Sequence, residues 1–431
     1  DKYEDMGGWD SIQHQIDIIN TQNFDTYIDI LYRENILLHM HSDGFNLLKE
    51  IDVNGKKIIP LKLFRKMTAE EVTDWYDARI SSYGTGYSSK VLEEEEIDFD
   101  DEFIESCKEG EENGVPFDIA GYDINGEEIN CFPFLSRQIM GLLEGTFTMM
   151  GGFSSVGKSS WWVTVLMALL YYDRKILIIS NEESVKKFKV KFMIWLLGKR
   201  NRYFKLTKKK MTSGDINVES RDQLTQVQKF WREKYKGKVK FISINDADMR
   251  VVKKKIRENV LRYGYDCVLY DTFKIQESDF EGTRQDLSLV RDSRELDKIA
   301  KKYNIIMLAS VQLAERLKGK LFLDSSVLSN SKQIKEILEN LFLMRTVYDE
   351  ELDEKNKFYC RPFRLKKVND KWMEEEYAPD RNAVYRALFV EKTRNGNNSS
   401  DTGVAYLLKF DGDHCIFREV AQARFKHGEI K

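Results

Sequence analysis

The sequence predicts an α/β protein: a mostly parallel sheet with helices on both faces, ending in antiparallel hairpins and preceded by a small, mainly helical N-terminal region. Three observations carry this expectation. After Pro133, short apolar runs alternate with amphipathic stretches; near the C-terminus the runs are separated by turn-forming residues; and the beginning of the chain shows apolar residues at helical spacing. A strand buried on both faces reads as a continuous apolar run, and parallel neighbours need a crossover, usually a helix.

Taken in order, Ile16, Ile19, Ile28, Leu31, Leu37 and Leu38 recur at helical spacing within 12–48, and Thr68-Ala69-Glu70-Glu71 has the form of a capping box opening a short helix. Residues 1–90 are therefore expected to be mainly helical. Residues 93–112 carry twelve acidic residues against Lys108, a local charge of −11, and removing it from the overall −3 leaves +8 for the rest of the chain. Such a run buries little apolar surface, and Gly84 and Gly86 precede it while Gly114-Val115-Pro116 follows. We expect an acidic linker over 91–131. A basic body with an acidic segment suits a protein that binds polyanions, although an ordinary mixed surface reads the same way.

From 132 to 431 a single large domain is expected. The runs 146–150, 176–180, 238–244, 268–271, 305–310 and 341–344 read as buried strands. The runs 387–391, 405–409 and 415–420, set apart by Asn395-Gly396-Asn397-Asn398 and Asp411-Gly412-Asp413, read as antiparallel hairpins. With 431 residues, 50.7 kDa and 42% hydrophobic residues, the chain can bury such a core.

Several function classes are disfavoured. One of the longest apolar stretches, 161–172, has 12 residues, short of the roughly 20 that cross a bilayer. The opening Asp1-Lys2-Tyr3-Glu4-Asp5 is unlike a secretory signal. Cys107, Cys131, Cys267, Cys360 and Cys415 are widely spaced with no C-x-x-C pair, which argues against a zinc ribbon or a disulfide framework, and His39 with His41 is a weak metal pair. A soluble, cytoplasmic protein without a membrane partner is expected.

The chemistry begins at Gly152-Phe153-Ser154-Ser155-Val156-Gly157-Lys158-Ser159, which fits G-x-x-x-x-G-K-[ST] between a predicted strand and a helix predicted over 160–172. Glycines let the backbone wrap phosphates, N–H groups at the helix N-terminus meet their charge, and the lysine reaches the β and γ phosphates. ATP is therefore expected at Gly152, Ser154, Ser155, Val156, Gly157, Lys158, Ser159 and Ser160, with the Ser159 hydroxyl on Mg²⁺. Such a loop needs a carboxylate on a neighbouring strand to hold the hydrated Mg²⁺, and Asp271, ending the run Cys267-Val268-Leu269-Tyr270-Asp271, supplies it. Hydrolysis needs a group to orient the attacking water. Glu182, in Asn181-Glu182-Glu183 at the end of the strand read over 175–180, is the candidate.

Over roughly 132–420 this order of elements resembles the DnaB-type replicative helicases. Gly141-Leu142-Leu143-Glu144-Gly145 resembles the family's turn into its first core strand, Ser180-Asn181-Glu182-Glu183 stands in the place of its S-L-E-M, and 263–271 resembles the segment ending in its Walker B aspartate. Residues 294–313, containing Ser310-Val311-Gln312-Leu313, resemble the helix and strand ending in S-Q-L with one residue inserted, and Lys392-Thr393-Arg394-Asn395-Gly396 matches K-x-R-x-G. The resemblance implies a RecA-like P-loop NTPase core and a homo-hexameric ring that translocates 5′ to 3′ on single-stranded DNA and unwinds duplex at a fork. It implies that Gln312 senses the γ-phosphate, and that Lys392 and Arg394 reach a neighbouring subunit's site as a finger in trans. Primase and a helicase loader are the partners it suggests.

DNA phosphates would be met by basic loops facing the channel: Lys274 and Arg284 within 274–285, and Arg316, Lys318 and Lys320 within 316–330. The basic stretch 186–210 reads instead as an amphipathic helix with a solvated face. Four features depart from the family: Glu183 stands for its methionine, Thr272-Phe273 follows Asp271, 346–386 is longer, and the first 110 residues match poorly. High Lys, Asn and Ile usage with 5 prolines suggests an AT-rich genome, and the departures from the family suggest a phage or mobile element, hence a bacterial host cytosol. Two other readings stand beside the helicase: a RecA-like recombinase or recombination-mediator ATPase without unwinding activity, and a non-hydrolysing helicase-like adaptor.

Overall fold

The structure, a computed structural model, describes residues 24–53, 56–83, 114–244, 249–273, 282–328, 331–368 and 371–430. The chain divides into two compact units, Asp1–Asp98 and Phe99–Lys431.

In the first unit, helix α1 (Phe24–Ser42) is followed by strands β1 (Ile51–Val53) and β2 (Lys56–Ile58), then by α2 (Pro60–Phe64) and α3 (Ala69–Tyr83). The capping box forms as expected: the Thr68 N–H donates to Glu71 Oε2 at 2.7 Å, and the Glu71 N–H donates to Thr68 Oγ1 at 3.2 Å. Leu37, Leu47, Phe64 and Val72 make the core, with Trp75 edge-on to Phe64. Leu31 and Leu38, read at helical spacing, face solvent because α1 packs through a narrow stripe centred on Leu37. Ile16, Ile19 and the acidic run 93–112 lie outside the described residues.

In the second unit, β3 (Ile119–Tyr122), β4 (Glu128–Asn130) and α4 (Pro133–Gln138) lead to β5 (Phe147–Gly152) and α5 (Lys158–Tyr171). Next come β6 (Ile176–Ser180), α6 (Val185–Lys199), α7 (Lys208–Ser213), α8 (Val218–Lys234), β7 (Val239–Ser243) and α9 (Met249–Tyr263). Then follow β8 (Cys267–Phe273), α10 (Gly282–Tyr303), β9 (Ile306–Gln312), α11 (Ser331–Ile337), β10 (Asn340–Thr346) and α12 (Asp349–Leu352). The chain closes with β11 (Pro362–Val368), β12 (Lys371–Glu376), β13 (Tyr385–Lys392), α13 (Ser399–Thr402), β14 (Val404–Asp411) and β15 (Ile416–Arg424).

The main sheet runs β12-β11-β15-β14-β13-β10-β5-β9-β8-β6-β7. From β10 to β7 all pairings are parallel, and from β10 to β12 all are antiparallel. The mixed parallel and antiparallel architecture expected from the apolar runs is therefore the one observed. Alternate residues of a strand serve opposite layers: Ile176 and Ile178 join the core shared with α5 and α6, while Leu177 and Ile179 join the one shared with α9 and α10. The basic stretch 186–210 is not one helix, since α6 ends at Lys199 and α7 begins at Lys208; on α6, Phe188, Trp195 and Leu196 are buried while Lys186, Lys187 and Lys189 face solvent.

The expected linker 91–131 needs correcting at its end. Val115, Phe117, Ala120, Ile129 and Cys131 are buried in the same core as α5, and Val115 bridges Leu142, so 114–131 belongs to the larger unit. These apolar residues come in short groups broken by Gly, Pro and polar residues, which hid them. The longer segment 346–386 supplies α12 and the β11–β12 hairpin; in it, buried Glu351 pairs with buried Arg345, which also donates to the carbonyls of Leu321 and Thr346.

Cys131, Cys267, Cys360 and Cys415 are free and buried, and burial raises all four thiols, those of Cys131 and Cys360 to about 12. Among the described residues no helix is long and apolar enough to cross a membrane, and no group of three or more His, Cys, Asp or Glu side chains that could hold a metal ion occurs.

Glu419, on β15, sends its carboxylate inward: Oε2 accepts the Leu135 N–H of α4 at 3.3 Å, and Oε1 is buried without a hydrogen bond. Burial raises its pKa to about 8. A raised carboxyl pKa means the folded state holds a proton that the unfolded chain releases, so stability falls as pH rises from the unfolded value towards 8. Glu419→Gln should therefore raise the thermal midpoint at pH 9 relative to the parent, with the gap closing near pH 5; parallel melting curves across that range would expose a constant gap if burial is not the cause.

Candidate functional site

The strand register gathers the site at one edge of the sheet. Gly152 at the end of β5 pairs with Gln312 of β9 on one side and Met344 of β10 on the other, and Asp271 of β8 pairs with Ser180 of β6. The P-loop, Gln312, Asp271 and Asn181-Glu182-Glu183 thus emerge together from the C-terminal ends of parallel strands, where open α/β sheets bind their ligands.

The loop turns through Ser155 (φ 60°) and Gly157 (φ 104°) into α5. A Cβ at Gly157 would stand 3.0 Å from the Phe417 ring and 3.1 Å from the Phe410 ring, so both the left-handed backbone and the close approach demand glycine. Lys158 is buried, and its Nζ donates to the carbonyls of Gly152 at 2.9 Å and Phe153 at 3.0 Å. Burial lowers its pKa, against the opposing pull of Glu182, Asp271 and Glu315. Ser154, Ser155, Val156 and Ser160 line the same turn, with Ser160 buried in the first turn of α5.

Ser159 Oγ donates to Asp271 Oδ2 at 3.3 Å. The other carboxylate oxygen of Asp271 is buried and has no hydrogen-bond partner among the described residues. Burial raises the Asp271 pKa, the nearby Ser310 hydroxyl lowers it, and the charges of Glu183 and Glu182 raise it further. A buried carboxylate with an unused lone pair beside a serine hydroxyl is a donor set that fits a hard divalent cation holding its own water, as Mg²⁺ does.

At the end of β6, Ser180 Oγ accepts the N–H groups of Glu182 at 3.3 Å and Glu183 at 3.1 Å, while Asn181 Oδ1 accepts the Thr272 N–H at 3.1 Å and ties this turn to β8. The two acids are not equivalent. Glu183 is half-buried and ion-paired with Lys191, whereas Glu182 is exposed and close enough for its charge to act on both Lys158 and Asp271. Gln312 is half-buried beside Gly152, and the following Leu313 N–H donates to the Gly152 carbonyl at 3.1 Å.

Lys392 and Arg394 stand elsewhere. Lys392 pairs with Leu341, which pairs with Met149, three residues before Gly152 on β5; at ~3.3 Å per residue that is about 10 Å back along the strand. Lys392 Nζ donates to the carbonyls of Lys335 and Leu338 at the end of α11, where burial lowers its pKa. Arg394 Nε meets Glu339 Oε2 at 3.3 Å with 57% of its side chain exposed. The fold does not bring this pair to the chain's own P-loop.

Of the basic loop residues, Lys274 and the side chain of Arg284 lie outside the described residues. Arg316 and Lys318 are exposed, while Lys320 is half-buried and donates to Asp324 Oδ1 at 3.1 Å and Ser326 Oγ at 2.8 Å. Sequence reasoning missed two parts of the site. Arg386 Nε donates to the P-loop carbonyl of Val156 at 2.8 Å and lies over the Phe410 ring, with burial lowering its pKa to about 10. Its one signal was an arginine inside the apolar run Tyr385-Arg386-Ala387-Leu388-Phe389-Val390. The other is Glu315, whose Oε1 accepts the Ser154 N–H at 3.3 Å.

Residues 130–411 match the DnaB-like helicase C-terminal domain family. Among solved structures, an isolated ATPase domain is similar with a TM-score of 0.53 at 16% identity, covering 76% of this chain and 100% of that one. A DnaB-like replicative helicase, whose structure was described with its interactions with primase, is similar with a TM-score of 0.52 at 15% identity, covering 82% of this chain and 78% of that one. No curated protein matches the sequence. These identities speak for the fold, which is the RecA-like ATPase fold of those proteins; the family match speaks for descent, and since it spans well over half of the residues and includes the P-loop and Asp271, the chain belongs to the DnaB-like helicases.

Proposed function

We propose that this protein is an ATP-driven DNA helicase that translocates on single-stranded DNA and unwinds duplex at a replication fork as a homo-hexameric ring, 5′ to 3′ as the family resemblance implies. The observation that supports it best is the separation of the parts. The P-loop, Asp271, Glu182 and Gln312 lie at one edge of the sheet, while Lys392 and Arg394 lie back along the strands, with Arg394 exposed. Its distance from the chain's own P-loop supports a role for Arg394 at a neighbour's site.

In this reading Lys158 and the P-loop N–H groups hold the triphosphate, and Ser159 with Asp271, the latter through water, holds Mg²⁺, which neutralises phosphate charge when bound. Glu182 orients the attacking water, since Glu183 is already paired with Lys191. Gln312 senses the γ-phosphate from beside Gly152. With Lys392 engaged by α11, Arg394 is the finger. Arg316 and Lys318, with Lys274, Arg284 and Lys320, meet DNA phosphates. Primase and a loader are the proposed partners, and a bacterial host cytosol, reached through a phage or mobile element, is the proposed setting.

A forked-DNA unwinding assay beside an ATPase assay tests the whole: hydrolysis without unwinding would favour a recombinase or mediator, and DNA binding without hydrolysis an adaptor. Lys158→Ala should abolish turnover while the chain remains folded by circular dichroism, because the clamp on the β and γ phosphates is lost. Glu182→Gln should keep nucleotide binding and lose hydrolysis, read by equilibrium binding beside turnover; normal hydrolysis would pass the role to Glu183 or another acid. Arg394→Ala should bind ATP as the parent does yet lose DNA-stimulated hydrolysis by about a thousandfold. Mixing Arg394→Ala with Lys158→Ala subunits should restore part of it, because some interfaces then join an intact loop to an intact finger. Mixed rings with no recovery would sink the trans assignment.

A further inference from the structure

The β11–β12 hairpin leaves the main sheet. β11 pairs with β15 at Pro362 and Phe363, and among the described residues that ladder goes no further, while the pairing with β12 runs on to Val368 opposite Lys371. From Phe363 to Val368 the ribbon extends about 16 Å past its attachment, at ~3.3 Å per residue. All of β12 is exposed, with Trp372 at 54% and Met373 at 56%. An edge strand that displays large apolar side chains invites wrong pairings, and proteins ordinarily blunt it. An exposed tryptophan kept there calls for a use.

Beside the hairpin lies a cavity of about 270 Å³, lined by Phe134 and Arg137 of α4, Leu365 and Trp372 of the hairpin, and Tyr406 of β14. Pockets for drug-sized ligands run from about 300 to 1,000 Å³, so this one suits a single planar ring system. Its polar groups sort by what they already hold. Gln138 is engaged at both ends: Oε1 accepts the Tyr406 hydroxyl, and Nε2 donates to the Asn397 carbonyl at 2.5 Å. The Gln422 amide lies beside the same hydroxyl. Arg137 is exposed, 6.0 Å from the centre of the Phe134 ring, and its guanidinium has no hydrogen-bond or ion-pair partner among the described residues. Lys367 stands directly opposite Trp372 in the hairpin register and so on the same face. Glu374, the next acid on that face, is held by Arg424 at 2.8 and 2.5 Å, and Glu375 on the other face meets Lys366 at 3.6 Å. Ring faces and cations remain on offer.

We propose that this cavity is a stacking site for single-stranded nucleic acid, in which a base enters against Trp372 and Phe134 while Arg137 and Lys367 meet the flanking phosphates. Every base has a ring face and every nucleotide a phosphate, so stacking and charge bind a strand whatever its sequence. The engaged amides leave the base edges unread. A free nucleotide shares this chemistry, but Lys366, Lys367 and Lys371 along the ribbon supply more charge than one phosphate uses. The hairpin belongs to the longer segment 346–386, so the site is an addition to the family's core and does not rest on the function proposed above.

The test uses the full chain without ATP and a fluorescent thymidine oligonucleotide carrying one photoreactive iodouracil. Crosslinks mapped by mass spectrometry should fall on Trp372 or Phe134. Trp372→Ala should weaken the oligonucleotide by about fivefold or more, the low end of what stacking one base is worth, while Trp372→Phe, which keeps a ring face, should stay within about threefold of the parent. Arg137→Gln should flatten the slope of log affinity against log salt by about 0.7, the share of one phosphate on a single strand. Crosslinks on neither aromatic residue, or a Trp372→Ala chain that binds as the parent does, would overturn the proposal. A loss that Trp372→Phe shares in full would mark a packing role for the indole and overturn it too. An iodouracil mononucleotide that labels Trp372 as strongly as the oligonucleotide at equal concentration would assign the cavity to a free nucleotide instead of a strand.

Discussion

The bond of the P-loop to the C-terminal hairpin is the constraint on which much else depends. Gly157 takes a positive φ against the stacked rings of Phe410 and Phe417, and Arg386 holds the Val156 carbonyl from β13, two strands along the sheet from β5. Phosphate-binding loops are usually discussed from their own sequence. Here the loop's curvature is fixed by residues more than two hundred positions later, so the antiparallel end of the sheet is part of the nucleotide site. Arg386 is buried there, and the Val156 carbonyl it meets is held by a charged donor.

Electrostatics divides the acids around that loop by what they already hold. Asp271 is buried with an unused oxygen, Glu183 is spent on Lys191, Glu182 is exposed, and Glu315 is shared with the following loop. Lys158 sits among them with its pKa lowered by burial and held up by their charge. The cluster is anionic where a polyanion must enter. This is workable only because Mg²⁺ and the loop's own N–H groups belong to the same site in the reading proposed here.

Much of this was legible in the sequence, for reasons that can be named. The strands at 176–180 and 268–271 are apolar on both faces and stand out as runs, and the P-loop is a fixed pattern whose neighbours had to be a strand and a helix. The β11–β12 hairpin was not legible: Lys371-Trp372-Met373-Glu374-Glu375-Glu376 is exposed throughout and carries no burial period. Nor was the burial of 114–131, whose apolar residues form only short groups in the chain and join the core in space. Glu315 looked like one more charge in a charged turn; its meaning comes from Ser154, a hundred and sixty-one positions away. Lys392 and Arg394 stand out by pattern, but that they lie back along the strands from their own loop is a matter of strand register, which no local pattern encodes.

The buried thiols give the molecule a set of internal reporters. Cys131 lies in the layer that covers α5, Cys267 in the parallel strand β8, Cys360 just before the edge hairpin, and Cys415 in the turn above the P-loop. Each is kept protonated by burial and so is unreactive while its surroundings stay closed. Alkylation of any one of them therefore times the opening of its own region. Four places in the fold, from the sheet centre to the hairpin that backs the nucleotide loop, can be followed separately without introducing a label.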